Sequence, residues 1–236
     1  MTTSARAGLI MLAAVTLGVG LSACSSDTAG TPSSASAESS STSSASSSPA
    51  QAAPPTSAPP AAPVTTLADY IRDNNIVETP VAPGDPGSPT IELPTPKGWE
   101  DMGSNTPEGA YSALTFTGDP AAAASPATVI TKVVKLTGNV DPAKVLEFAP
   151  GELRTLPGFD GPESGQPNQL SGFDATVIGG TYTKDGAPHM IAQKTVVIPG
   201  QDGLYVLQIN ADGTEDAAYA LMDATSTIDD QAKITP

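Results

Sequence analysis

Cysteine occurs once in this chain, at Cys24, and histidine once, at His189. A single cysteine excludes an intramolecular disulfide, so the folded part must hold together on its core alone. These two residues leave a zinc centre short of the nitrogen and sulfur ligands it needs. A hydrolytic triad is equally poorly supplied, because no G-x-S-x-G turn presents a serine to the one histidine. His189 is expected instead to begin a strand and to face solvent or a neighbouring side chain. No D-x-D-x-D-G loop offers calcium its ligands, and no Gly-rich loop follows a strand in phosphate-binding form. The expectation is therefore no catalytic residue, no metal site and no cofactor. A carboxylate pair of the glycoside-hydrolase type is the one arrangement left open, because it is set by proximity in space rather than in sequence.

Basic side chains are also scarce. Lys and Arg number 10 against 25 Asp and Glu, a net charge of −15. Nucleic acid, which requires a basic surface, is excluded as a partner. Attraction to an anionic leaflet is excluded for the same reason, since it draws about 1 kcal/mol from each Lys or Arg near the surface. Long apolar runs are missing too: none reaches the roughly 20 residues of a spanning helix.

What the chain does have is a short apolar segment at its start. Arg6 is followed by Gly8 to Leu21, rich in Leu, Ile, Val and Met, and then by the small residues Ser22 and Ala23 before Cys24. This is the layout of a secretory signal peptide over residues 1–23. The tetrad L-S-A-C (Leu21 to Cys24) resembles the lipobox of bacterial lipoproteins. That resemblance implies cleavage between Ala23 and Cys24 and lipidation of the Cys24 thiol. Removing Arg6 with the leader takes the charge to −16. Attachment to the membrane would then rest on acyl chains alone, two of which anchor stably where one is marginal.

Residues 24–63 follow as a linker. After Cys24 come 39 residues, of which 14 are Ser, 10 Ala, 7 Pro and 4 Thr, with no large apolar side chain before Val64. Nothing there offsets the entropy of ordering, so a disordered spacer of roughly 35 Å root-mean-square reach is expected. Ser and Thr interspersed with Pro also permit O-glycosylation. From residue 64 to 236 the composition suits one globular domain with 23 acidic and 9 basic side chains.

Within that domain, Thr66 and Asp69 form a capping box before a helix with Leu67, Tyr70 and Ile71 on one face. Pro80, Pro83, Pro86 and Pro89 recur every third residue and suggest an extended polyproline arm. Strands are expected at Thr90 to Leu93, Ala110 to Thr117 and Ala127 to Leu136. Asp141-Pro142 starts a helix that Pro150-Gly151 breaks. After a loop over Gly158 to Asn168, a strand runs from Ser171 to Tyr182 with a bulge or bend at Gly179-Gly180. Lys184-Asp185-Gly186 turns the chain. Met190 to Ile198 and Leu204 to Asn210 are the most apolar strands and are placed at the sheet centre. A closing helix is expected from Asp212 to Ile228, capped by Asp212, with Ala218, Leu221, Met222 and Thr225 inward. The whole reads as an α+β fold: a mostly antiparallel sheet of about six strands with helices on at least one face and expectedly both.

Rings are few, at 4% of residues, so their positions matter. Trp99, Tyr111, Tyr182 and Tyr205 are the amphipathic ones, able to stack on a sugar or line a lipid cleft, and are the candidate ligand-binding residues. Phe116, Phe148, Phe159 and Phe173 are assigned to the core.

Several long runs resemble the LpqN/LpqT family of mycobacterial lipoproteins, nearest its LpqN members. They are T-L-A-D-Y-I-R-D-N-N-I-V-E-T-P (Thr66 to Pro80), G-D-P-G-S-P-T-I-E-L-P (Gly84 to Pro94), K-L-T-G-N-V-D-P-A-K-V-L-E-F-A-P-G-E-L (Lys135 to Leu153), A-Q-K-T-V-V-I-P (Ala192 to Pro199) and L-Q-I-N-A-D (Leu207 to Asp212). The resemblance implies a PsbP-like α/β/α sandwich on the extracytoplasmic face of the cell membrane. It also implies binding of a trehalose-containing glycolipid and work beside MmpL-type exporters, and it carries no catalytic motif. Two other functions stay open on the residues alone. One is a protein-interaction module using the acidic surface. The other is an envelope hydrolase.

Overall fold

The computed structural model describes residues 63–236. The leader, Cys24 and all of the linker but its last residue lie outside the described residues. Helix α1 spans Leu67–Asp73. Its capping box forms as the sequence indicates: the Asp69 N–H donates to the Thr66 hydroxyl, and the Thr66 N–H donates to the Asp69 carboxylate at 3.0 Å. The Thr66 N–H and hydroxyl, and then Arg72, hold the Asp69 carboxyl below its ordinary range.

Strand β1 (Val77–Pro80) comes next and departs from the proline-arm expectation, because Pro80 closes a strand paired with β5 (Thr128–Thr137). Beyond it the chain folds into turns rather than a polyproline helix. The Ala82 N–H donates to the Asp85 carboxylate at 2.7 Å, and Gly84 and Gly87 take positive φ values that no polyproline segment contains. Strand β2 (Thr90–Glu92) leaves the main sheet and pairs with a strand near the C-terminus that the pattern did not indicate, β10 (Lys233–Thr235).

The main sheet has eight strands rather than about six. Its further members are β3 (Trp99–Asp101), β4 (Ser112–Phe116), β6 (Gln166–Leu170), β7 (Phe173–Lys184), β8 (Ala187–Pro199) and β9 (Leu204–Thr214). All pairs are antiparallel, in the order β3-β4-β5-β9-β8-β7-β6, with β1 beside β4 on the same edge of β5. The two most apolar strands, β8 and β9, lie inside the sheet as expected. Strand β6 falls where a loop was expected; its exposed, polar residues lack the apolar alternation that marks a strand.

Helices α2 (Pro142–Phe148, capped by Asp141) and α3 (Gly151–Arg154) join α1 on one face, over Leu136, Val197, Leu204 and Val206. Helix α4 (Ala218–Gln231) covers the other, over Val133, Val196, Leu207 and Ile209. It begins later than expected. Asp212 is not a cap but lies in β9, because the cross-strand pairing with β8 continues to His189 opposite Thr214. It also runs past Asp229-Asp230. A carboxylate there opposes the helix dipole, and an ion pair from Asp229 to Lys194 offsets it.

No bulge interrupts β7. Gly179 and Gly180 sit in continuous register opposite Ala192 and Ile191. Gly180 is required for a different reason: the Asp160 backbone bonds to Thr181 alongside it. A Cβ on Gly180 would lie 2.5 Å from the Asp160 carbonyl oxygen and 2.9 Å from the Phe159 ring. Gly180→Ala is therefore expected to lower stability by about 1–3 kcal/mol, as overpacking does. A denaturant midpoint that falls at unchanged slope would verify this; an unshifted midpoint would contradict the close approach.

Candidate functional site

The sheet face beneath α4 is built in rows. The register sets Thr181, Met190 and Gly213 side by side, then Gly179, Ala192 and Ala211, then Val177, Lys194 and Ile209. The middle row carries nothing larger than a methyl group. A helix resting on such a floor cannot fill the space above it, because close packing needs side chains from both layers. The result is an open groove of about 460 Å³ between α4 and the sheet, bounded by Met190, Ala192, Ala211, Leu221 and Met222. Its wall is apolar, and Met222 hangs over it at 65% exposure.

A second cavity of about 160 Å³ continues the groove toward the C-terminus of α4. The two share Ala192 and Thr225. Thr225 spends its hydroxyl on the Leu221 carbonyl at 2.9 Å. Beyond it the surroundings turn polar. Lys194, only 8% exposed, donates from Nζ to Asn168 Oδ1 at 2.9 Å and to Asp229 Oδ1. The site is thus apolar for two rows and polar at the third.

The opposite face carries a different cluster. His189 is buried, opposite Tyr182 in the register, with Nδ1 3.1 Å from Asp212 Oδ1. Lys184 Nζ reaches the same oxygen at 3.2 Å, and the Tyr182 hydroxyl donates to Asp212 Oδ2. The expectation that His189 meets a neighbour in a strand holds. No serine, threonine or cysteine is bonded to it among the described residues, so the pair is not assembled as a nucleophilic triad. Farther along this face, Gln193 and Gln208 both donate to Glu152, at 3.1 and 2.9 Å. Among the described residues, no group of three or more His, Cys, Asp or Glu is placed to hold a metal ion, and no helix is long and apolar enough to cross a membrane.

The four candidate rings are not brought together, and none lines the groove. Trp99 is core, its ring 5.5 Å from that of Phe116. Tyr111 is half-buried at the lead into β4, its N–H on the Thr131 carbonyl. Tyr205 is buried and donates to the Gly87 carbonyl at 2.8 Å, beside a polar surface cavity of about 420 Å³ that Lys135 and Pro236 also line. Tyr182 is committed to Asp212. The helix side of the groove was partly foreseen in Leu221, Met222 and Thr225. Met222 is exposed rather than inward, because α4 starts at Ala218 and presents Leu221, Ala224 and Ile228 to the core. The sheet side was missed. Its signal was present as Gly179, Ala192 and Ala211, but it becomes visible only once the register aligns three separate stretches.

Burial, and then the bonded Asp212 carboxylate, push the Tyr182 hydroxyl well above the ordinary tyrosine value of 10.0. A pKa raised on folding contributes stability that is whole below the unfolded value and is lost as pH rises through the folded one. Tyr182 is expected to ionise late in an ultraviolet alkaline titration, close to unfolding. Asp212→Ala should bring that step earlier and cost about 2–3 kcal/mol, since three donors lose their acceptor. A titration with no late step that Tyr182→Phe removes would contradict the pair.

Comparison with known proteins places this fold. Residues 63–235 match the family model described as probable lipoprotein LpqN. Lipoprotein LpqN of Mycobacterium tuberculosis is 51% identical over 176 residues, which cover 75% of this chain and 76% of that protein. A solved structure, that of LpqN involved in cell envelope biogenesis of Mycobacterium tuberculosis, superposes with a TM-score of 0.70 at 50% identity, covering 74% of this chain and all of that one. A family match over most of the chain and a relative at this identity leave no other assignment: the chain belongs to the LpqN lipoprotein family.

Proposed function

We propose that this protein is a non-enzymatic lipoprotein of the cell envelope, and that its groove under α4 takes the alkyl chain of a trehalose-type glycolipid. The observation that carries the reading is the row Gly179, Ala192 and Ala211, which leaves an apolar groove unfilled and open. Cys24, acylated, would hold the protein on the extracytoplasmic face of the membrane, and the linker would let the groove reach lipids in transit. The relative LpqN is described as involved in cell envelope biogenesis, a process in which a carrier of envelope lipid has a natural place. An MmpL-type exporter is the corresponding donor or acceptor.

Energetics favour an amphiphile over a bare hydrocarbon. About ten buried methylenes gain about 8 kcal/mol at about 0.8 each. Association itself costs about 4–15 kcal/mol. The chain alone therefore yields weak binding, and a headgroup must supply the remainder. An enzyme reading draws less support, because His189 and Asp212 lie on the other face of the sheet from the groove and, among the described residues, no serine, threonine or cysteine is bonded to His189.

The test is native mass spectrometry of the full chain with a trehalose monoester and with a simple detergent of equal chain length. A one-to-one adduct with the ester is expected, insensitive to added salt, because lipid burial is not a charge interaction. Ala192→Leu, which fills the middle row of the floor, should weaken the adduct about tenfold without lowering the melting temperature. No adduct, equal adducts with both compounds, or an unaffected Ala192→Leu variant would each sink the proposal. Binding that collapses with salt would favour an acidic protein-interaction surface instead.

A further inference from the structure

Glu152 is a half-buried carboxylate without a counter-ion. It stands on α3, over the sheet face opposite α4, and its Oε2 accepts from the Gln193 amide at 3.1 Å and from the Gln208 amide at 2.9 Å. Among the described residues, no Lys or Arg lies within ion-pair distance of it. Gln193 is 3% exposed, and its amide nitrogen also donates to Asn210 Oδ1 at 3.0 Å. Its own carbonyl oxygen is left buried without a partner among the described residues. An unpaired buried acceptor is costly, but turning the amide over would set that oxygen against the Glu152 carboxylate. The network is therefore arranged around the negative charge, which it holds by one oxygen. The other, Oε1, has no partner among the described residues.

Glu152 and Gln208 line a cavity of about 340 Å³ between α1 and the sheet. The register orders its floor. Lys132 and Gln208 lie side by side, then Val134 and Val206, and Glu78 stands one row farther on, opposite Leu136. Leu67 and Ile71 of α1 add to the aliphatic part of the lining. We infer that this cavity is a second binding site, separate from the groove on the other face, and that it takes an aliphatic cation of the kind an arginine side chain carries. The alkyl stem would lie on Val134 and Val206, and the guanidinium would donate to Glu152 Oε1 and the Gln208 carbonyl.

The donor inventory selects this class. Both glutamines turn their amide nitrogens to Glu152 Oε2, which leaves Glu152 Oε1 and the Gln208 carbonyl, two acceptors, for a ligand. A carboxylate or phosphate has nothing to donate and would meet Glu152 as a like charge. A guanidinium only donates, in a planar fork that suits two neighbouring acceptors. It is also weakly hydrated for a cation, so entering an aliphatic cavity costs it less. The 23 acidic and 9 basic side chains of the domain add a field that draws cations in. Lys132 is the lining residue that opposes a cation. It is exposed and has no ion pair among the described residues, and Glu78 balances its charge in the lining. A guanidinium could arrive on a free small molecule or on a polypeptide, and the choice of probe separates the two.

The test is calorimetric titration of the full chain with butylguanidinium, with pentanoate and with pentanol. Only the cation is expected to bind, and more weakly as salt is added. Glu152→Gln keeps an oxygen for both glutamine amides and should weaken the cation about tenfold. It changes a net charge of −15 by one, so a general attraction to the acidic surface would hardly move. Lys132→Ala removes an exposed side chain and should tighten the cation about threefold, because a like charge leaves the cavity. N-acetylarginine amide separates the sources. If it binds at least as tightly as butylguanidinium, the site serves an arginine side chain of a polypeptide; if it binds less, the site serves a free cation, and both results support the site. No binding of butylguanidinium, equal binding of pentanol, or binding of pentanoate would each overturn it. So would an unaffected Glu152→Gln variant, or a Lys132→Ala variant that binds the cation less tightly. The groove under α4 is untouched by any of these results.

Discussion

The antiparallel register of β7, β8 and β9 decides what α4 can cover. Each strand contributes one small residue to the same row, Gly179, Ala192 and Ala211. A one-residue slip would turn all three to the other face and replace them with neighbours of the opposite set. The β7–β8 turn fixes that register at one end, where Asp185 and Gly186 both take positive φ, as a tight two-residue hairpin requires. On the far side of the sheet, Val197, Leu204, Val206 and Leu136 meet α1 and α2, beside a cavity of about 340 Å³ lined by Ile71, Lys132, Glu152 and Gln208. The two faces of one sheet therefore differ in what lines their openings: charged and amide side chains beside α1, small apolar residues beneath α4.

Helix α4 depends on that sheet in a second way. Asp229 and Asp230 sit where the helix dipole disfavours anions, and the helix runs through them to Gln231. The Lys194 ammonium, rising from the sheet, offsets one of these charges. Burying a lysine for this purpose is expensive, because the desolvation penalty of a buried pair can match its attraction. Stability alone does not explain why the position is not apolar. The cluster of Tyr182, His189 and Asp212 differs, since its parts are engaged with one another at the rim of the opposite face.

Much of this was legible in the sequence, and the reasons for the rest are specific. Local signals held where the physics is local: the capping box of Thr66 and Asp69, the Asp141 cap of α2 and the turn at Asp185-Gly186 lie within a few residues of the elements they set. The signals that misled depend on distant partners. Asp212 resembles an N-cap, but its fate was settled by His189 pairing opposite Thr214. The proline spacing suggested an extended arm, but Gly84 and Gly87 fold it into turns. Gly179-Gly180 suggested a bulge; one glycine forms the groove floor and the other admits the Asp160 backbone. Aromatic residues were the natural candidates for a ligand site because they carry the most surface per residue. The groove is instead made by the absence of side chains, which leaves no mark until strands are aligned.

That absence bears on how such a protein is maintained. A groove lined by Ala, Gly and Met forgoes the dispersion contacts that larger side chains would make across it. Without disulfides, the domain draws its stability from its core, so leaving part of one face unpacked is a standing cost. Residues that would relieve the cost are the ones that would close the groove. For the binding role proposed above, that cost is the usual conflict between stability and activity. The apolar cluster under α1 and α2 offsets the deficit. An open face beneath α4 is tolerable in this fold because the opposite face still buries Leu136, Val145 and Ala149 fully.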